Sequence, residues 1–77
     1  MSVNSRLQHL EWQALMVLYS HREREYSPMR LVGYKPALSG LMRHDPPLAR
    51  WVGKASEQLV HITDAGIARY EEGYFSL

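Results

Sequence analysis

The sequence predicts an α+β fold in which three helices precede a β-hairpin and a fourth helix follows it. Two observations carry this prediction. Apolar residues recur at helical spacing through the first part of the chain, and residues 59–66 change from strand alternation to a capped helix within one residue. At that change, Thr63 can offer its side-chain oxygen to the free N–H groups that begin a helix.

The first helix is predicted to run to about Arg22. Asn4 or Ser5 can cap it, and Ser5 with Gln8 has the spacing of a capping box. A short extended piece is expected over residues 23–26. The apolar face of the helix is formed by residues that recur at helical spacing: Leu7, Leu10, Ala14, Val17, Leu18 and His21. Four more residues widen this face: Trp12, Leu15, Met16 and Tyr19.

Two shorter helices are predicted in the middle of the chain. Ser27-Pro28 is typical of a helix start, because serine caps and proline suits the first helical position. The second helix is therefore expected over residues 28–32, with Gly33 ending it in a left-handed conformation. The third is expected over residues 35–44, where the following prolines break it.

A hairpin and a closing helix complete the order. The predicted hairpin has a strand at residues 48–54, a turn at 55–58 and a return strand at 59–62. The last helix opens at Thr63, and Gly73 is expected to end it. Gly66, in its first turn, allows another part of the backbone to come close.

The alternation in the return strand also predicts which of its side chains are buried. The two-residue period of a strand places Val60 and Ile62 in the core, and it directs Leu59 and His61 outward or toward a partner. The two tryptophans, Trp12 and Trp51, are expected mainly as core residues.

Length and composition indicate one domain, residues 1–77, with a thin core. A chain of this size buries only about 60% of its unfolded surface, so we expect help from a partner such as a second copy. Such a homodimer would form through the first helix, the last helix or residues 74–77. Cysteine is absent, which excludes disulfides and thiolate metal sites. Without a signal segment or a long apolar run, we expect a soluble cytoplasmic protein and no membrane partner.

The formal net charge is only +1, but it is unevenly distributed. Residues 28–54 contain five Arg or Lys and one Asp, whereas residues 55–77 contain one Arg and four acidic residues. A polyanion would dock on the basic middle section. Charge alone leaves open the alternative that these cations only solvate the surface.

The element order and the Leu59-Val60-His61-Ile62-Thr63-Asp64-Ala65-Gly66 segment together resemble a known family. A hydrophobic strand that enters a closing helix through Thr-x-x-Gly is similar to the end of winged helix-turn-helix domains in small bacterial regulators of the MarR and PadR kind. The resemblance implies a three-helix core, a short β-hairpin wing and a closing C-terminal helix. It also implies a DNA-binding protein in transcription regulation, or an accessory factor of a phage or mobile element.

Under this resemblance, residues 35–44 form the recognition helix and residues 52–59 the wing. Cationic and hydroxyl side chains can contact phosphates or base edges, and a helix fits the major groove of double-stranded DNA. The candidate DNA-binding residues are three at helical spacing on the outer side of the recognition helix and two near the wing: Lys35, Ser39, Arg43, Arg50 and Lys54.

The alternative function belongs to another class: a winged-helix module that binds protein, as an inhibitor or adaptor, without contacting DNA. The candidate partner-binding residues are then Tyr74, Phe75 and Leu77, because an apolar terminus either folds back or docks elsewhere. No catalytic constellation, cofactor motif or zinc-ligand spacing stands out. We therefore expect neither an enzyme nor a metal site, and no cofactor.

Overall fold

The computed structural model describes residues 7–75, with the backbone alone at residues 55, 74 and 75. Over this range the chain is an α+β fold of four α-helices and a three-stranded antiparallel sheet, which confirms the predicted class. The predicted caps Asn4 and Ser5 lie outside the described residues, but the first helix has Gln8 as its cap, so the predicted start is wrong, and it ends at Ser20, two residues before the predicted Arg22. The elements are α1 (His9–Ser20), β1 (Ser27–Pro28), α2 (Met29–Val32), α3 (Lys35–Met42), β2 (Ala49–Val52), β3 (Leu59–Ile62) and α4 (Asp64–Phe75), with a 3₁₀ turn at Ala55–Glu57.

Helix α1 begins where a carboxylate satisfies a free backbone donor. The Gln8 N–H donates to the Glu11 carboxylate at 3.0 Å, so Gln8 is the cap and the helix starts at His9. The same Glu11 side chain lies against Gly40 in α3, where a Cβ atom would collide with it. Glycine inside α3, which costs helix propensity, thus leaves room for the flexible end of the Glu11 side chain.

The prediction that Ser27-Pro28 starts a helix is wrong, as is the extended piece at residues 23–26. The pair forms the edge strand β1, in which Ser27 lies opposite Val60 and Pro28 opposite Leu59. Pro28 is extended (φ −59°, ψ 138°) and caps α2 without a side-chain hydrogen bond. Proline suits an edge strand because it has no N–H to give to a ladder. Pairing with β3 therefore overrides the local preference of serine for a cap.

The sheet has the order β1-β3-β2, and its inner face carries the core. Val60 and Ile62 are buried at 0% and 2% exposure, while Leu59 and His61 are half-buried, so the predicted alternation is confirmed. Val60 and Ile62 join a core cluster whose other buried members lie just before α1, in α1, α2 and α3, and around the start of β2: Leu7, Ala14, Leu15, Leu18, Val32, Ala37, Leu38, Leu41, Leu48 and Ala49.

Thr63 links three parts of the chain at the start of α4. Its hydroxyl accepts the Gly66 N–H at 3.0 Å, which confirms the predicted cap, and donates to the Pro47 carbonyl at 2.6 Å. Its backbone N–H donates to the Leu48 carbonyl at 3.2 Å. Gly66 packs so closely that a Cβ atom would collide with that Leu48 carbonyl oxygen. The Thr-x-x-Gly segment therefore holds the last helix against the loop that precedes the hairpin.

Helix α4 continues through Gly73 to Phe75, so the predicted stop at Gly73 is wrong. A Cβ atom on Gly73 would lie 2.9 Å from Trp12 Cζ2, which means that this glycine serves the contact between α1 and α4. Across the same contact, the Tyr19 hydroxyl donates to Glu71 at 2.7 Å. That hydrogen bond raises the pKa of Tyr19 above its ordinary value of 10.0. Tyr70 stacks on Tyr19 with ring centroids 4.4 Å apart.

The remaining boundaries differ slightly from the prediction. Gly33 has a φ angle of +97°, which favours glycine, but its ψ angle of −132° shows that the predicted left-handed helical conformation is wrong. Helix α3 ends at Met42, two residues early, and β2 is shorter at both ends than the predicted strand. Gly53, with a φ angle of +74°, ends the extended backbone of β2.

Candidate nucleic-acid interface

The outer side of α3 carries the two cations that the sequence indicated. Leu38 and Leu41 are fully buried, which fixes the inner side of the helix. Lys35 and Arg43 are exposed on the other side, and Ser39 between them is half-buried. Arg43 follows the last helical residue but keeps helical angles (φ −84°, ψ −11°), and its N–H reaches the Ser39 carbonyl at 3.1 Å. The predicted i, i+4, i+8 spacing is therefore preserved, over about 12 Å of helix.

The hairpin end places a lysine and a glutamate together. Lys54 is exposed, and its backbone N–H donates to the Glu57 carboxylate at 2.6 Å. A Cβ atom on Gly53 would collide with the same carboxylate, so glycine is needed there for the fold of the turn. The Glu57 carboxylate is thus hydrogen-bonded to the backbone of the turn. The exposed Lys54 provides the positive charge at this end of the hairpin.

Trp51 differs from the prediction that it is a core residue. It lies opposite Val60 in the ladder, so both side chains leave the sheet on the same face. Val60 is fully buried, however, whereas Trp51 is 42% exposed. Val60 lies on the central strand β3, whereas Trp51 lies on the edge strand β2, so the core covers Val60 fully and Trp51 only in part.

A pocket of about 360 Å³ lies between the end of the hairpin, α2 and the start of α3. It brings together Lys35 from α3 and Lys54 from the hairpin loop, beside Trp51. Its lining comprises Met29, Lys35, Trp51, Val52, Gly53, Lys54 and Gln58. Ser39, Arg43 and Arg50 do not line it.

Arg50 lies apart from the other candidate residues. It pairs with His61 in the ladder, so its side chain leaves the sheet on the face opposite to Trp51 and Val60. Since α3 packs on the Val60 face, the sheet separates Arg50 from Lys35 and Arg43. Arg50 is exposed and can contact only a ligand that reaches around the hairpin.

Sequence reasoning overlooked Trp51, Met29 and Gln58 as parts of this site. A weak signal was present for Trp51, since it lies four residues before the predicted turn at residues 55–58 and therefore near the end of the strand pair. Nothing local marks Met29 or Gln58, which come close only when β1 pairs with β3. The Met29 N–H donates to the Gln58 carbonyl at 3.0 Å.

The candidate partner-binding residues lie at the end of the described chain. Tyr74 and Phe75 belong to α4 by their backbone, so they continue a helix and do not form a free tail. Leu77 lies outside the described residues.

Two histidine side chains form hydrogen bonds with backbone carbonyl oxygens. His21 Nδ1 lies 3.0 Å from the Val17 carbonyl oxygen, and His61 Nε2 lies 2.8 Å from that of Arg24. Within residues 7–75, no three His, Asp or Glu side chains gather as metal ligands would. In the same part of the chain, no helix has the length and apolar character needed to cross a membrane.

Comparisons with models of protein families, with curated proteins and with solved structures found no match to this chain.

Proposed function

We propose that this protein is a winged-helix protein that binds double-stranded DNA, acting in transcription regulation or as an accessory factor of a phage or mobile element. In this proposal α3 enters the major groove, and the hairpin is the wing, which contacts the neighbouring backbone. One observation carries it: Lys35 and Arg43 are exposed along the outer side of α3, and Lys54 of the hairpin converges with Lys35 on one pocket.

The physical basis is electrostatic. Exposed Lys and Arg side chains on a convex helix can neutralise phosphates, which releases condensed counterions and makes binding depend on salt. Leu38 and Leu41 anchor the inner side of α3, so the cations project from a fixed element. Specificity for particular bases would come from Ser39 or Arg43 at groove edges.

The test is a titration of labelled duplex at several salt concentrations with wild type and with the double variant Lys35→Ala, Arg43→Ala. Each lost phosphate contact contributes about 0.9 to the slope of log K against log salt, so the slope should become shallower by roughly 2. The matched control, Arg24→Ala with Arg30→Ala, removes the same charge from exposed sites outside α3 and should change the slope less.

A second candidate function is a winged-helix module that binds protein. It is favoured by apolar side chains exposed in the same part of the chain, Leu31 at 51% and Tyr34 at 58%. If wild type binds duplex without any salt dependence, or not at all, the DNA proposal fails. The protein-binding function then replaces it, with Tyr74 and Phe75 as the next residues to substitute.

A further inference from the structure

The pocket at the hairpin end has a chemistry that docking of a helix in the major groove does not use. Groove binding requires cations on a protruding surface, but here a concave site of about 360 Å³ lies between the hairpin and α3. This volume is at the small end of the range typical of ligand pockets. Any duplex held by α3 would lie beside this opening, because Lys35 belongs to both surfaces.

The walls of the pocket are complementary to a flat, anionic, heterocyclic ligand. Trp51 lines the pocket and is 42% exposed, and Met29 adds an apolar side chain. Lys35 and Lys54 bring positive charge from two separate elements, and the amide of Gln58 can donate and accept hydrogen bonds. Stacking a ring on Trp51 would also cover apolar surface that the fold leaves open to water.

We propose that this pocket binds one unpaired nucleotide, with its base stacked on Trp51 and its phosphate held between Lys35 and Lys54. Aromatic side chains stack on any base, while lysines follow the phosphate, which together describe a site for single-stranded nucleic acid. The nucleotide can be a free mononucleotide or an unpaired residue at the end of a duplex. The second source depends on the proposed function, and it makes the protein prefer duplexes with unpaired ends.

The experiment compares a blunt duplex with the same duplex carrying a short single-stranded overhang, by fluorescence anisotropy at one salt concentration. Stacking of one base should make the overhang duplex bind about 5- to 150-fold more tightly. Trp51→Ala should abolish this preference, and Trp51→Phe, which keeps an aromatic face, should restore much of it. Lys54→Ala should reduce it as well.

The matched control is Tyr34→Ala, which removes another exposed aromatic side chain that does not line the pocket. This variant should keep the preference for the overhang. Equal loss in Tyr34→Ala and Trp51→Ala would overturn the assignment of the base to Trp51.

A second arm tests the free nucleotide. In a Trp12→Phe variant, Trp51 is the remaining tryptophan. Deoxyadenosine monophosphate should quench its fluorescence, and deoxyribose 5-phosphate, which has no base, should not. Quenching without binding of either duplex would reject DNA binding and support the pocket with a free nucleotide as its ligand. Salt-dependent duplex binding without overhang preference and without quenching would overturn the pocket proposal and leave DNA binding supported.

Discussion

Replacing Thr63 by alanine should destabilise the fold more than the loss of an ordinary helix cap. The sequence alone predicts a cost of about 1 kcal/mol for the cap. The structure adds a second hydrogen bond, from the Thr63 hydroxyl to the Pro47 carbonyl at 2.6 Å. A typical hydrogen bond contributes about 0.5–1.5 kcal/mol net. Because Pro47 is exposed and water can reach its carbonyl, we take the lower end and expect about 1.5–2 kcal/mol in total.

The measurement is the free energy of unfolding from urea denaturation, with thermal melting as a second readout. For a domain of this size, the expected loss lowers the melting temperature by roughly 6–16 °C. Thr63→Ser is the control, because it keeps the hydroxyl and should retain most of the stability. If the alanine variant unfolds at the same urea concentration as wild type, Thr63 does not hold α4 to the loop, and the reasoning fails.

Three further predictions concern other contacts of the fold. Gly66→Ala should lower the free energy of unfolding by about 1–3 kcal/mol, because the added Cβ meets the Leu48 backbone. Gly40→Ala should leave it nearly unchanged, because the added Cβ meets only the flexible end of a side chain and alanine has the higher helix propensity. Urea denaturation of both variants checks this difference, and equal effects would contradict it. The raised pKa of Tyr19 means that the folded state holds this proton more tightly, so its contribution is intact below pH 10 and is lost as pH rises through the folded pKa. Tyr19→Phe should therefore show a shallower alkaline loss of stability, and identical pH profiles would refute a role for the bond to Glu71. Sedimentation should show a dimer, since exposed apolar side chains on α1 remain uncovered, and a monomer at high micromolar concentration would exclude the predicted self-association.

The sequence predicted best where local chemistry and tertiary contacts agree. Around Thr63, the strand period, the cap and the absence of a Cβ at Gly66 all have local signatures, and Thr63 and Gly66 make the close contact with Leu48. The alternation of Val60 and Ile62 was predictable because one face of β3 is buried.

It failed where a distant partner decides the conformation. Ser27-Pro28 has a strong local helix-start signature, but pairing with β3, more than thirty residues away in sequence, makes it an edge strand. Gly73 looks like a helix terminator, but the ring of Trp12 from the first helix requires a glycine inside α4. In both places, violating the local conformational preference costs less free energy than the tertiary contact contributes.

Trp51 is the position at which strand register and burial disagree, and this disagreement is the reason to place it in a binding site. Its register puts it on the Val60 face of the sheet, where a purely structural tryptophan would be covered, but 42% of it remains exposed. Departures of this kind concentrate at functional sites, because natural sequences otherwise make local pattern and packing consistent. If Trp51 served the fold alone, Trp51→Phe and Trp51→Ala would lower the free energy of unfolding and leave the ratio of overhang to blunt duplex affinity unchanged. A change in that ratio with little change in stability for Trp51→Phe is therefore the outcome that separates a ligand-binding aromatic from a structural one.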